Sequence, residues 1–277
     1  MKCRKIEMVK IPDAKQGSQR IYQELDRFLS DLKHQRDAPQ DNSGYFGIVI
    51  VGRQSDYPGI KQVFSKLGIL SQCIQKFTAK KINLSVASNV MKQINSKLGG
   101  ESLRMKWPAF MKQKVMVIGI DVCHAGKKSV VGFCASTNQA QTRYYNDIII
   151  NPKNVELIKT ELDRCIIAAC NEFRNHHEGE LPDKIIIYRD GVGDQMRDQI
   201  IEKEIVQFKE ALRPLYNQMS GPPPITLVVV NKRINQRMFC QDKHGKTFNP
   251  QPGSIIDSNL VENCKGNECF DFFLVPQ

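Results

Sequence analysis

Apolar positions in this chain follow two rhythms, one helical and one extended. Ile21, Leu25, Phe28, Leu29 and Leu32 recur every three or four residues, which predicts an amphipathic helix over 15–32. A polar, turn-rich stretch over 34–44 follows, with Pro39, Asn42 and Ser43. The pattern then alternates: a strand over 45–51, a helix over 58–67, a strand over 69–74 and a helix over 84–98. Gly99-Gly100 suits the C-cap of that last helix. Alternating strands and helices predict a parallel sheet covered by helices.

Residues 100–113 break the rhythm and carry the only tryptophan, Trp107, before Pro108. A domain boundary is expected here, dividing the chain into 1–113 and 114–277. Trp107 is expected as a core or interface anchor. Strands then follow one another directly, over 114–122, 129–136 and 143–150, as in an antiparallel meander. A helix over 154–175, a strand over 184–190, a helix over 194–218 and a strand over 225–231 complete the order. Three strands, helix, strand, helix, strand is the order of a ribonuclease H-like domain.

Two of these strands end in an acid. Val115-Met116-Val117-Ile118-Gly119-Ile120 runs into Asp121, and Ile185-Ile186-Ile187-Tyr188-Arg189 runs into Asp190. A carboxylate at the end of a buried strand loses solvation unless a cation or a hydrogen bond replaces the water. If the first and fourth strands pair, both acids face one hollow, and two carboxylates suit magnesium held over a phosphodiester. An aspartate after a strand is also a common turn former, above all Asp190 before Gly191.

Composition narrows the partners. The 277 residues are 41% hydrophobic and carry a net charge of +11, so the chain can bury cores and favours polyanions. No run approaches the roughly 20 apolar residues of a membrane helix, and no membrane partner is expected. No apolar stretch follows Met1-Lys2-Cys3-Arg4-Lys5, so no signal peptide is expected. Nine cysteines are an odd number, and Cys123, Cys134, Cys165 and Cys170 fall inside expected strands or helices. Reduced, buried thiols fit this better than a disulfide framework, which points to the cytoplasm or nucleus. Cys240, His244, Cys264 and Cys269 resemble a zinc set, but the last gap is at the loose limit of ligand spacing. They are read as loop cysteines and a surface histidine.

The strings at 118–124 (Ile-Gly-Ile-Asp-Val-Cys-His), 187–194 (Ile-Tyr-Arg-Asp-Gly-Val-Gly-Asp) and 231–235 (Asn-Lys-Arg-Ile-Asn) resemble the PIWI domain of the Argonaute superfamily. Their form is similar to the Piwi branch rather than the Ago branch. Pro252-Gly253-Ser254 and the run Phe270-Asp271-Phe272-Phe273-Leu274-Val275 add to the likeness, in the right order. The implied fold is α/β: a Rossmann-like MID domain over 1–113, then a ribonuclease H-like PIWI domain over 114–277.

What the resemblance implies can be placed residue by residue. Slicing members cut target RNA with Asp-Glu-Asp and a fourth Asp or His around two magnesium ions. Asp121 and Asp190 match the aspartates and would hold metal. Glu156 matches the glutamate, with Glu161 a less well placed rival. The fourth residue would come after Gln277, so an incomplete PIWI domain is expected. His124 belongs beside the site rather than in it. In the first domain, Tyr57, Lys61, Gln72, Gln93 and Lys97 match the pocket for a guide's 5′ phosphate. Tyr57 would stack on the first base, Lys61 and Lys97 would neutralise phosphate, and Gln72 would donate an amide hydrogen bond. Gln93, where Ago-type members use lysine, implies a further magnesium at the guide 5′ end. Lys232, Arg233 and Arg237 form a basic edge suited to RNA phosphates.

The implied partners are a small guide RNA and a complementary target RNA, in RNA silencing. A binding-only silencing protein and a non-guided ribonuclease H-like nuclease are the alternatives. A Rossmann-type metabolic enzyme is disfavoured, because Gly52-Arg53-Gln54-Ser55 supplies no Gly-x-Gly-x-x-Gly turn.

Overall fold

The computed structural model describes residues 18–34, 44–191, 193, 196–217, 221–232, 234–259, 261 and 270–276. The chain divides into two compact units. One comprises Met1–Val117, Ala135–Tyr145 and Ala168–Ile185; the other comprises Ile118–Cys134, Asn146–Ile167 and Ile186–Gln277. The fold is α/β, as expected.

The first unit opens with helix α1 (Ser18–Lys33), strand β1 (Phe46–Val51), helix α2 (Tyr57–Lys66) and strand β2 (Leu70–Gln75). The predicted face of α1 is inward: Leu25 and Leu29 pack with Val51, Ile60, Val63, Phe64 and Ile69. β1 and β2 pair in parallel from Phe46↔Leu70 to Val51↔Gln75. A parallel pair needs a crossover, which α2 supplies. Two glycines make the packing close: a Cβ on Gly47 would stand 2.3 Å from the Phe64 ring, and one on Gly59 would stand 2.1 Å from the Tyr22 ring.

A short helix α3 (Lys76–Lys80) precedes α4 (Leu84–Lys97). α3 has too little apolar periodicity to be read from sequence. The Asn83 side chain caps α4 by accepting from the Val86 N–H at 2.9 Å. Gly99, at φ 76°, ends the helix in the left-handed conformation expected of its cap.

Strands β3 (Val115–Ala125), β4 (Lys128–Ser136), β5 (Tyr144–Pro152), β6 (Lys184–Asp190) and β7 (Ile225–Val230) form one sheet in the order β5-β4-β3-β6-β7. The first three expected strands are neighbours, and the fourth pairs with the first.

The expected helix over 154–175 is shorter than read: α5 spans Leu162–His176. Asn154 and Glu161 have φ of 58° and 72°, which breaks the helical hydrogen-bond ladder at both ends of the segment between them. Buried Ile158 and Leu157 anchor that segment instead, and the Asn151 amide donates to the carbonyls of Val155 and Leu157. Tertiary partners thus override a helical spacing.

The next helix is also interrupted. α6 (Arg197–Ile200) passes through a π-turn (Ile201–Ile205) into α7 (Val206–Leu212) and a 3-10 turn (Arg213–Tyr216). Within the second unit, Leu157 and Ile200 pack with Met196, Leu227 and Val229, and Phe133 stacks on Phe208. β8 (Cys240–Gln241) pairs with β9 (Thr247–Phe248), and β10 (Ile255–Ile256) with β11 (Phe273–Leu274). Within the run over 270–275, β11 takes up Phe273–Leu274.

Among the described cysteines, Cys165 and Cys170 are buried thiols, but Cys123 and Cys240 are exposed. Cys123 corrects the expectation of a buried strand residue. Cys264 and Cys269 lie outside the described residues, as do Arg233 and Asp194. Among the described residues, no helix is long and apolar enough to cross a membrane.

Candidate functional site

In the first unit, Lys61, Gln72, Gln93 and Lys97, four of the five residues matched to a guide pocket, converge on the start of β2. Ser71 and Gln72 are buried. The Lys61 ammonium donates to the Ser71 hydroxyl at 2.8 Å and to its carbonyl at 3.2 Å. Lys97, from the last turn of α4, donates to the same carbonyl at 2.8 Å and to Gln72 Oε1 at 2.7 Å. The Gln72 amide in turn donates to Gln93 Oε1 at 2.9 Å.

Two ammonium groups are thus drawn to one carbonyl by neutral oxygens. Burial and the charge of Lys61 hold the Lys97 ammonium below the usual lysine range. The same burial raises the Cys73 thiol, against the pull of both lysines. Such a pair gains most from an anion that neutralises both charges. Tyr57 stands half-exposed at the start of α2. Ser71, which holds both lysines, was not read from sequence; a lone strand serine carries no signal.

In the second unit, Asp121 on β3 and Asp190 at the end of β6 stand on neighbouring strands. Both line one hollow of about 570 Å³, together with Tyr188, Asn146, Asp147 and Lys232. Lys232, expected to meet RNA phosphates, forms an ion pair with Asp190 Oδ2. Arg237 donates to carbonyls of its own loop, at Ile234 and Gln236.

Glu156 lies on the irregular segment before α5, rather than at a helix start. Its Oε1 accepts from Arg189 Nη1 at 3.1 Å, and its Oε2 is 3.5 Å from His124 Nε2. His124 Nδ1 is 2.8 Å from the Ser129 hydroxyl. The structure therefore brings Asp121 and Asp190 to one hollow and turns Glu156 toward Arg189 and His124. Among the described residues, no three His, Cys, Asp or Glu side chains gather closely enough to hold a metal.

Arg189, within the 187–194 string, organises this region. It is fully buried and donates from Nε to Glu204 Oε2 at 2.9 Å, and from Nη2 to the Glu156 carbonyl at 2.8 Å. Its Nη1 also reaches the Asp190 carbonyl at 2.7 Å. Strand alternation held the signal: Arg189 shares the inward face of Ile185 and Ile187, where a cation requires a buried partner.

The donor set suits a hard cation in one respect. Three carboxylates line a common hollow, of which Asp147 is paired with Arg164 and Asp190 already attracts an ammonium. Glu156, as placed, accepts hydrogen bonds and adds no third ligand there.

The Piwi domain family matches residues 48–277. Piwi-like protein 3 of Homo sapiens is 36% identical over 229 residues, covering 80% of this chain and 24% of its own length. The chain thus spans about a quarter of that relative. Drosophila Piwi superposes with a TM-score of 0.70 at 24% identity, over 92% of this chain and 33% of its own. Kluyveromyces polysporus Argonaute, crystallised with a guide RNA, superposes with a TM-score of 0.68 at 22% identity, over 84% of this chain and 30% of its own. At those identities the two crystal structures speak for the fold. The match over residues 48–277 decides the family: the chain belongs to the Piwi family of Argonaute-type proteins, with a ribonuclease H-like domain.

Proposed function

We propose that this chain holds a small RNA by its 5′ phosphate, through a MID-type domain over 1–113, and presents it to a target RNA along a PIWI domain over 114–277. The observation that carries the reading is the convergence of Lys61 and Lys97 on Ser71, with Gln72 and Gln93 bridged beside them. A terminal phosphate would replace neutral oxygens with charge-assisted partners on both lysines. Tyr57 would take the first base on its exposed face. Base pairing, rather than side chains, would then select the target. The guide RNA in the Kluyveromyces polysporus structure supports this reading by analogy of fold.

A second activity has its own observation. Asp121 and Asp190 share one hollow on adjacent strands. These carboxylates would hold magnesium, which supplies an activated water and stabilises the leaving oxygen of a phosphodiester. Lys232 would give up Asp190 to the metal and turn to the RNA backbone. Glu156 would join the centre from its place beside Arg189 and His124. A further magnesium, beyond the two expected at the carboxylate centre, would sit at the guide 5′ end, where Gln93 leaves the charge short.

The test is to load the protein with small RNA bearing a 5′ phosphate or a 5′ hydroxyl, then add a complementary target with Mg²⁺. Guided cutting requires the phosphate for loading, pairing for cleavage, and both Asp121 and Asp190. Asp121→Asn should abolish cutting and leave guide binding intact. Tight phosphate-dependent binding without cutting would mark a binding-only silencing protein. Cutting that ignores the phosphate would mark a non-guided nuclease.

A further inference from the structure

We propose that Glu204 and Gln207 are positioning residues that clamp the segment bearing Glu156 and set where its carboxylate points. This rests on the reading of Glu156 as part of the cutting centre. Residues between Asn154 and Glu161 are bounded by left-handed backbone and cannot bond one another as a helix would. Their buried N–H and C=O groups need partners from elsewhere.

The helix beyond β6 supplies them. Glu204 Oε1 accepts from the Ile158 N–H at 2.9 Å. Gln207 Nε2 donates to the Ile158 carbonyl at 2.9 Å, and Gln207 Oε1 accepts from the Leu162 N–H at 3.4 Å. Three residues apart, Glu204 and Gln207 share one helical face and meet both polar groups of one buried peptide position. The π-turn at Ile201–Ile205 contains Glu204 and leads directly into the helical turn that contains Gln207. Gln207 is itself fixed by its second amide hydrogen, donated to the Lys203 carbonyl at 2.7 Å.

A second route reaches Glu156 directly. Glu204 receives Arg189 through both Nε and Nη2, which aims the guanidinium at the Glu156 carboxylate and carbonyl. One buried carboxylate therefore fixes the peptide two residues beyond Glu156 and the cation that holds its side chain. Gln207 acts on the peptide alone. It is only half-buried, so it can be removed at smaller cost to folding.

The experiment compares the wild-type protein with Gln207→Ala, Glu204→Ala and Glu204→Gln. Hydrogen exchange is followed on peptides covering 155–162 and 185–187, alongside RNA binding and single-turnover cleavage. Gln207→Ala should speed exchange at Leu162, whose N–H loses its acceptor, about tenfold, with 185–187 unchanged. It should slow cleavage about tenfold and raise the half-saturating Mg²⁺ concentration, as loss of an outer-shell partner does. Affinities for 5′-phosphorylated guide and for target should stay within about twofold, a split that a general loss of structure would not give.

Glu204→Gln keeps an oxygen for the Ile158 N–H and should retain more activity than Glu204→Ala. Unchanged exchange at Leu162 in Gln207→Ala would overturn the proposal. So would faster exchange throughout, with binding and cleavage falling together. If the wild-type protein binds guide but cuts nothing, the cutting reading fails, while the exchange data alone decide whether the clamp exists.

Discussion

Arg189 and Glu204 form an ion pair shut away from water, their side chains 1% and 2% exposed and Nε 2.9 Å from Oε2. Removing one partner of such a pair strands the other charge in a low-dielectric interior. Arg189→Met is therefore expected to cost about 3–5 kcal/mol of stability, measured by denaturant unfolding. Arg189→Lys should also lose most of the effect, because an ammonium cannot serve Glu204, Glu156 and two carbonyls at once. The double variant Arg189→Met/Glu204→Gln should recover part of the loss. A single-variant cost near zero would show that the pair adds nothing to the fold.

Stability should also fall on mild acidification because of His177. Its ring stacks on Phe173 at 3.8 Å between centroids, and burial lowers its pKa below the usual histidine value. The unfolded chain then binds the proton first. Stability is complete above the unfolded pKa, near 6.5, and declines as pH falls through the lower folded value. His177→Phe, which keeps the stack, should flatten the melting temperature between about pH 5 and 7. An unchanged acid slope would assign that slope to other groups.

The thiols should separate by reactivity. Burial pushes Cys165 and Cys170 up to about 12, so their thiolate fractions at neutral pH are very small. Cys123 and Cys240 are exposed. Iodoacetamide on the native protein, mapped by mass spectrometry, should modify Cys123 and Cys240 within minutes and spare Cys165 and Cys170 until denaturant is added. Early labelling of Cys170 would mean that α5 opens readily.

Much of the architecture was legible because it is written in local rhythm. The strands leading to Asp121 and Asp190 are short apolar runs bounded by polar residues, and the structure makes them neighbours. Their shared hollow follows from that pairing. The segment around Glu156 was not legible, because 154–175 has helical spacing. What stops the helix is distant in sequence: Glu204 and Gln207 take the Ile158 and Leu162 peptides, and Asn154 and Glu161 turn left-handed. Ser71 was invisible for a similar reason, since its role exists only once Lys61 and Lys97 arrive from separate helices. Arg189 could have been found, because a charge on the inward face of a buried strand demands a partner.

The asymmetry between the two sites follows from their chemistry. The lysine pocket is assembled from groups that already hold one another, so its geometry is fixed by neutral oxygens. The carboxylate hollow joins groups that repel, and Asp190 draws Lys232 to offset its charge. Replacing Lys232 by Met should therefore lower the Mn²⁺ concentration needed to occupy the hollow, read by paramagnetic resonance. A rise would mean that the ammonium holds Asp190 in place for the metal rather than competing with it.

The most direct measurement is the affinity of one small RNA, with and without its 5′ phosphate, for the wild-type protein and for Lys61→Ala/Lys97→Ala. Wild type should prefer the phosphorylated form by about tenfold or more, since a charge-assisted hydrogen bond contributes about 1.5–3 kcal/mol. The double variant should bind both forms alike, at the affinity that wild type shows for the hydroxyl form. A double variant that keeps the full preference for phosphate would place the guide end elsewhere and contradict the central claim.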